Sequence, residues 1–207
     1  MASQLAIYND ALAFLGESRP LASLSESRAD RRALDAAWDV TVQYVLEEGQ
    51  WSFSIRSIEI SPDTDIGPLF GFQYAYTLPS DYVRIAKISS TETFFEPLTK
   101  YEIEAGKIIF ANVNPLYLSY VSNGSTYGND MEMWPQVFCK ALSAYLAFMT
   151  CMQITQGRAE RNDLFSLYQR YISDARSKDA LNKPSQSLPR GSFRRARSGW
   201  QSWVDRR

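Results

Sequence analysis

The sequence contains no histidine. The commonest general base and the commonest metal ligand are therefore both missing. Ser-His-Asp triads, Cys-His dyads and histidine-bound zinc go with them. Cysteine is nearly as scarce, with Cys139 and Cys151 the whole thiol inventory. Both fall in one predicted helix, where their spacing corresponds to ~18 Å of rise, far beyond disulfide reach. They read as small buried apolar residues. Long hydrophobic runs are also lacking, since no stretch approaches the ~20 apolar residues that span a bilayer. The opening MASQLAIYNDALAFLGE has no basic region ahead of its apolar stretch and carries Asn9 and Asp10 within it. It reads as an amphipathic helix and not a signal peptide, so the expected location is a cytoplasm. SNGSTYGND, residues 122–130, holds two glycines but neither Walker spacing nor a following lysine, and reads as a return loop. These absences together predict a protein that is not an enzyme and that needs no cofactor, metal or membrane.

What is present is ordinary globular composition, 45% hydrophobic and 22% charged over 207 residues, enough for one domain carrying a sizeable insertion. Leu5, Tyr8, Leu12 and Leu15 recur on one face of a first helix, about Gln4 to Leu15, with Ser3 as N-cap and Gly16 just past its end. SLSESRADRRALDAAWDVTVQYVLEEG predicts a longer second helix closing at Gly49, with Leu34, Trp38, Val42 and Val45 on its apolar face. From Trp51 to Tyr127 the pattern becomes alternating and β-branched: WSFSIRSIEI, YAYTL, YVRIAKIS, KIIFA and LYLSYV predict strands. No helical crossover separates them, so an antiparallel sheet or small barrel is expected. Helix returns at Pro135, placed at N1, and the run to Gln156 is apolar nearly all round, as in a buried central helix. Gly157 breaks it. A further helix, Arg158 to Leu181, carries Leu164, Tyr168, Tyr171 and Ala175 as its stripe, with Phe165 and Ile172 beside it.

The expected fold class is α+β: an antiparallel helical bundle with an inserted antiparallel β domain and an extended C-terminal arm. The helical domain takes residues 1–50 and 128–181, the β domain 51–127 and the arm 182–207. The net charge of −1 conceals an asymmetry. The arm holds seven basic residues against Asp205, whereas the rest of the chain holds 15 basic and 22 acidic residues. An acidic body with a basic tail suggests an arm that docks on something negative. Within the arm, Phe193, Arg194, Arg195, Arg197, Trp200 and Trp203 interleave cations with aromatics, a composition typical of interface hot spots.

Other side chains have plainer readings. Glu47 and Glu48 point in different directions on a helix, and Asp63 and Asp65 sit in a Pro-containing turn. Neither pair makes a strong case for glycosidic hydrolysis. Phe70, Phe72, Tyr74 and Tyr76 alternate at period two, which suits a core or subunit interface more often than a base-stacking platform.

Several segments, in order, resemble the tail tubular protein A family, the head-to-tail adaptors of short-tailed bacteriophages. They are LAIYNDALAFLGE, RRALDAAWD, VLEEGQWSFSIRS, FGFQYAYTLPSDYVRI, LYLSYVSN and MWPQVFCKALSAYLA. The resemblance covers roughly residues 3 to 180 and consists of packing patterns whose order and spacing are characteristic. It implies a virion protein, made in the host bacterial cytoplasm, that forms a dodecameric ring beneath the portal. The implied partners are the portal protein, the tail nozzle protein and further copies of the chain, with tail fibres left open and DNA passing through the channel. It also implies a helical domain facing the portal, a β domain toward the nozzle and an arm reaching onto the portal. The arm matches no family motif residue by residue, so its docking role rests on its position and chemistry. Direct DNA contact by the arm is the alternative. Arg28, Arg31 and Arg32 are candidates for a ring or portal interface or for the lining of a DNA channel, against the plain reading of a solvated helix face.

Overall fold

A computed structural model describes residues 3–94, 96–155 and 158–182. Among these residues the fold is α+β, with four α-helices and two small antiparallel sheets. Helices α1 (Gln4–Phe14) and α2 (Ala29–Glu47) precede six strands: β1 (Ile55–Ile60), β2 (Tyr74–Thr77), β3 (Tyr82–Ser89), β4 (Tyr101–Glu104), β5 (Ile108–Ala111) and β6 (Leu116–Ser122). Helices α3 (Gln136–Ile154) and α4 (Arg158–Leu181) follow.

The expected end signals of α1 are both present. The Ser3 side chain accepts the Ala6 N–H at 3.3 Å. Gly16 takes φ +77° and, with Glu17, returns N–H groups to Ala13 and Leu12, which satisfies the last carbonyls. The second helix starts later than expected, at Ala29. Ser23 to Glu26 instead form a turn in which Glu26 accepts the Ala22 and Ser23 N–H groups, because serine and glutamate side chains compete there for backbone donors. At its other end Gly49 is required by close approach. A Cβ there would lie 2.7 Å from the Trp51 ring, which folds back so that its Nε1 donates to the Val45 carbonyl at 3.0 Å. Trp51 to Ser54 are therefore a turn, and the first strand begins only at Ile55.

α3 is the centre of the helical region. Eleven of its residues are buried, and α1, α2 and α4 all pack on it. Pro135 is its N-cap, one position earlier than expected. By length and composition α3 is apolar enough to cross a membrane, contrary to the expectation that no run comes close, but 61% of its apolar window is buried inside the fold. Tyr145 meets Tyr168, and Phe148 meets Phe165. Three residues forward on α3 are three back on α4, so the two run antiparallel. On α4 the buried stripe is Leu164, Tyr168, Ile172 and Ala175. Ile172 thus takes the core role expected of Tyr171, which is only half-buried.

The strands form two three-stranded sheets, ordered β1-β6-β3 and β2-β5-β4, in place of one sheet or barrel. β4 was not expected from sequence. All four of its residues are exposed, so it lacks the buried alternation by which strands are read. β6 serves two cores. Leu116, Leu118 and Tyr120 enter the β cluster with Tyr76 and Ile109, whereas Val121 joins the helical cluster, as the period of two requires. The return loop is tight as well. A Cβ on Gly128 would fall 2.1 Å from the Ser122 carbonyl oxygen, and the Trp134 indole donates to the Gly128 carbonyl at 2.8 Å.

Candidate interaction surface

The arginine face of α2 was the main candidate among the described residues. Arg28 Nη1 donates to the Arg19 carbonyl at 3.0 Å and the Pro20 carbonyl at 3.3 Å, and the guanidinium pairs with Asp30. Arg28 therefore fastens the α1–α2 loop. Arg31 pairs with Asp35 one turn on. Asp35 also accepts the Tyr8 hydroxyl at 2.8 Å, and Gln4 Nε2 donates to the same hydroxyl at 2.8 Å. Burial, reinforced by the Asp35 bond, pushes the Tyr8 phenol well above its usual range, so it stays a neutral donor joining α1 to α2. Arg32 is exposed, and its side chain makes no ion pair or hydrogen bond among the described residues. It lines a cleft of about 440 Å³ with Glu17, Asp30 and Gln153. Of the three arginines, two are engaged within the chain and Arg32 remains available to a partner. Phe193, Arg194, Arg195, Arg197, Trp200 and Trp203 lie outside the described residues.

The acidic pairs serve local structure. Glu47 accepts from Gln43 at 3.0 Å and Glu48 pairs with Arg176. Asp63 accepts the Thr77 hydroxyl at 2.6 Å and the Asp65 N–H at 3.0 Å, which together hold its carboxyl below the usual range. Burial pushes the Cys139 thiol up to about 11, so it is protonated at neutral pH and a poor nucleophile. Among the described residues, no three Asp, Glu or Cys side chains gather as a metal site would need.

The aromatic stripe divides. Tyr76 is fully buried, Tyr74 is half-buried, and Phe70 stands wholly in solvent. Phe70 occupies a turn, not a strand. The Phe72 N–H returns to the Leu69 carbonyl at 2.9 Å and Gly71 takes φ +88°, the geometry of a type II turn with Phe70 at its second position. Asn112 clamps this turn, donating to the Gly71 carbonyl at 3.2 Å and accepting the Gln73 N–H at 2.8 Å. A rigid pedestal that presents a bare phenyl ring suits protein contact. The FGF sequence signals the turn, but nothing near it signals the clamp from Asn112.

A second node missed at the sequence level is Asp81. Its carboxylate accepts from Arg56 at 3.0 Å, the Tyr120 hydroxyl at 3.0 Å and the Ser122 hydroxyl at 2.5 Å. Burial opposes the charge, but these bonds outweigh it and the carboxyl is held below its usual range. Asp81 thereby ties β1, β3 and β6 together where the β region meets the helices.

Compared with models of protein families and with curated proteins, the chain gives no match. The functional reading therefore rests on the residues, their arrangement and the segment resemblance.

Proposed function

We propose that this chain is a non-enzymatic virion protein, a head-to-tail adaptor of a short-tailed phage. In this reading a helical bundle with an inserted β domain assembles as a dodecameric ring beneath the portal, and the basic aromatic arm docks on the portal. The observation that carries it is the order of parts: two helices, six antiparallel strands, two helices, then a basic aromatic tail, with the resembling segments spread along that order. The mechanism is mechanical. Copies pack side by side through different patches, which closes a ring when the rotation permits. The arm's aromatic burial and arginine contacts offset the cost of ordering it. The exposed Phe70 turn gives the β domain a contact for the next tail protein, and the ring leaves a passage for DNA.

The test is binding of the purified chain to a short-tailed phage portal ring. A variant with Phe193, Arg194, Arg195, Arg197, Trp200 and Trp203 replaced by alanine should lose that binding and keep its fold. Undiminished portal binding by this variant would remove the docking role of the arm. The rival reading, a nucleic-acid-binding protein, is favoured by the charge asymmetry of the arm. Arm-dependent DNA binding that weakens steeply with salt, with no portal affinity, would establish it instead.

A further inference from the structure

The two flanks of α4 differ in a way the ring reading does not by itself specify. The buried stripe of α4 points at α3. On one side of that stripe an aromatic chain crosses three helices. Tyr44 on α2 stacks on Tyr145 at 4.4 Å, Tyr145 meets Phe148 at 5.7 Å, and Phe148 meets Phe165 on α4 at 5.2 Å. Met152 lies one turn beyond Phe148 on the same face of α3. Tyr44, Phe165, Met149 and Met152 are each more than a third exposed, and Val40, one turn before Tyr44, is 62% exposed. Partly exposed aromatic and methionine side chains in one connected strip are costly to leave in water and adapt well to a partner.

On the other side, α4 and the end of α1 enclose an open groove of about 540 Å³. Phe14, Leu15, Leu164 and Leu167 give it an apolar floor, and Asp163 and Arg170 stand at its rim. The contact of Phe14 with Tyr171 fixes α1 on this flank, just as Tyr44 against Tyr168 fixes α2 on the opposite one.

Charge follows the same division. Arg161 lies over the Phe148 ring at 4.7 Å, on the strip side, and Asp163 lines the groove. Two residues apart on a helix, they point about 200° apart. Neither makes an ion pair among the described residues.

We infer that the aromatic–methionine strip of one copy seats in the α1/α4 groove of the next, with Arg161 of the first beside Asp163 of the second. The occupant of the groove is thus a second copy of this chain. Because strip and groove are different patches, the contact is head-to-tail and propagates around a ring, where a self-complementary patch would stop at a dimer. This inference rests on the ring reading and assigns the faces that build it.

The test uses the full chain with one cysteine on each flank, Met152→Cys on the strip together with Ser166→Cys in the lining of the groove. Cys139 and Cys151 are buried, so the native thiols leave the readout clean. Mild oxidation should give a ladder of disulfide-linked oligomers on a non-reducing gel, whereas either single variant should stop at a dimer or below. Alongside it, Arg161→Asp or Asp163→Arg alone should weaken self-association roughly tenfold or more by placing like charges together. The double exchange should restore it, an outcome that a general loss of folding could not produce. If the wild type forms rings whose mass is unchanged by either reversal, and no ladder appears, the face assignment is overturned and the ring reading stands. If the wild type is monomeric at every concentration, alone and on a portal, both are overturned.

Discussion

The helical and β regions hold themselves together differently. The helical region closes on one apolar helix, with Tyr8, Trp38, Trp51, Phe53, Trp134 and Phe138 in an interlocked set of aromatic contacts. Among the described residues, the β region has eight buried side chains in its own cluster and relies on polar fastenings, Asp81 on one side and Asn112 on the other. A large apolar core yields a rigid platform, whereas a small core held by hydrogen bonds leaves turns and an edge strand free to meet other surfaces. Val121 and Tyr120, neighbours on β6, face the two cores, so the regions should unfold together when the helical core fails.

The largest expected effect follows from that coupling. Phe138→Ala empties a fully buried site that touches Trp51, Phe53 and Trp134, and should cost about 3–5 kcal/mol. Urea unfolding followed by fluorescence and by circular dichroism should shift as one transition. Leu118→Ala, at the centre of the β cluster, should cost about 2–5 kcal/mol. Hydrogen exchange should then accelerate in β1, β3 and β6 before it does in α3. Equal acceleration in both would mean that the two regions form one cooperative unit.

Asp81 comes next. Asp81→Ala strands Arg56, Tyr120 and Ser122 and should cost about 1–3 kcal/mol. Because its carboxyl is held below the usual range when folded, its contribution is fully present above the ordinary carboxylate pKa and is lost as pH falls through the folded value. In acid the wild type should lose its advantage over Asp81→Ala, measured as converging melting temperatures. A constant gap down to the acid limit would show that the charge at Asp81 contributes nothing. The smallest effect belongs to Asn112→Ala, about 1 kcal/mol, seen as faster exchange at Gly71 and Gln73 with the helices unchanged.

The sequence made the helices and most strands legible because their periodicity is carried by buried side chains. Ser3 and Gly16 marked the ends of α1, and the apolar run after Pro135 marked the central helix. β4 escaped because its four residues are all exposed, and the start of α2 was misplaced because Glu26 and the serines hold a turn that composition alone does not reveal. The surfaces were less legible. The Arg31–Asp35 pair, one turn apart, is legible from spacing, whereas the Arg19 and Pro20 carbonyls that hold Arg28 and the Tyr8 hydroxyl that joins Asp35 are brought alongside only by folding. The clamp on the Phe70 turn spans 41 residues of sequence between Gly71 and Asn112. The two flanks of α4 needed knowledge of which neighbour, α1 or α2, lies on each side.

The proposed binding of a ring of this chain to a portal is tested most directly by mass photometry of the full chain mixed with a short-tailed phage portal ring. The expected result is a single added mass of about a dozen copies per portal, as a closed ring matched to the portal's symmetry requires. A portal whose mass does not change at saturating concentrations of the chain would contradict the adaptor reading.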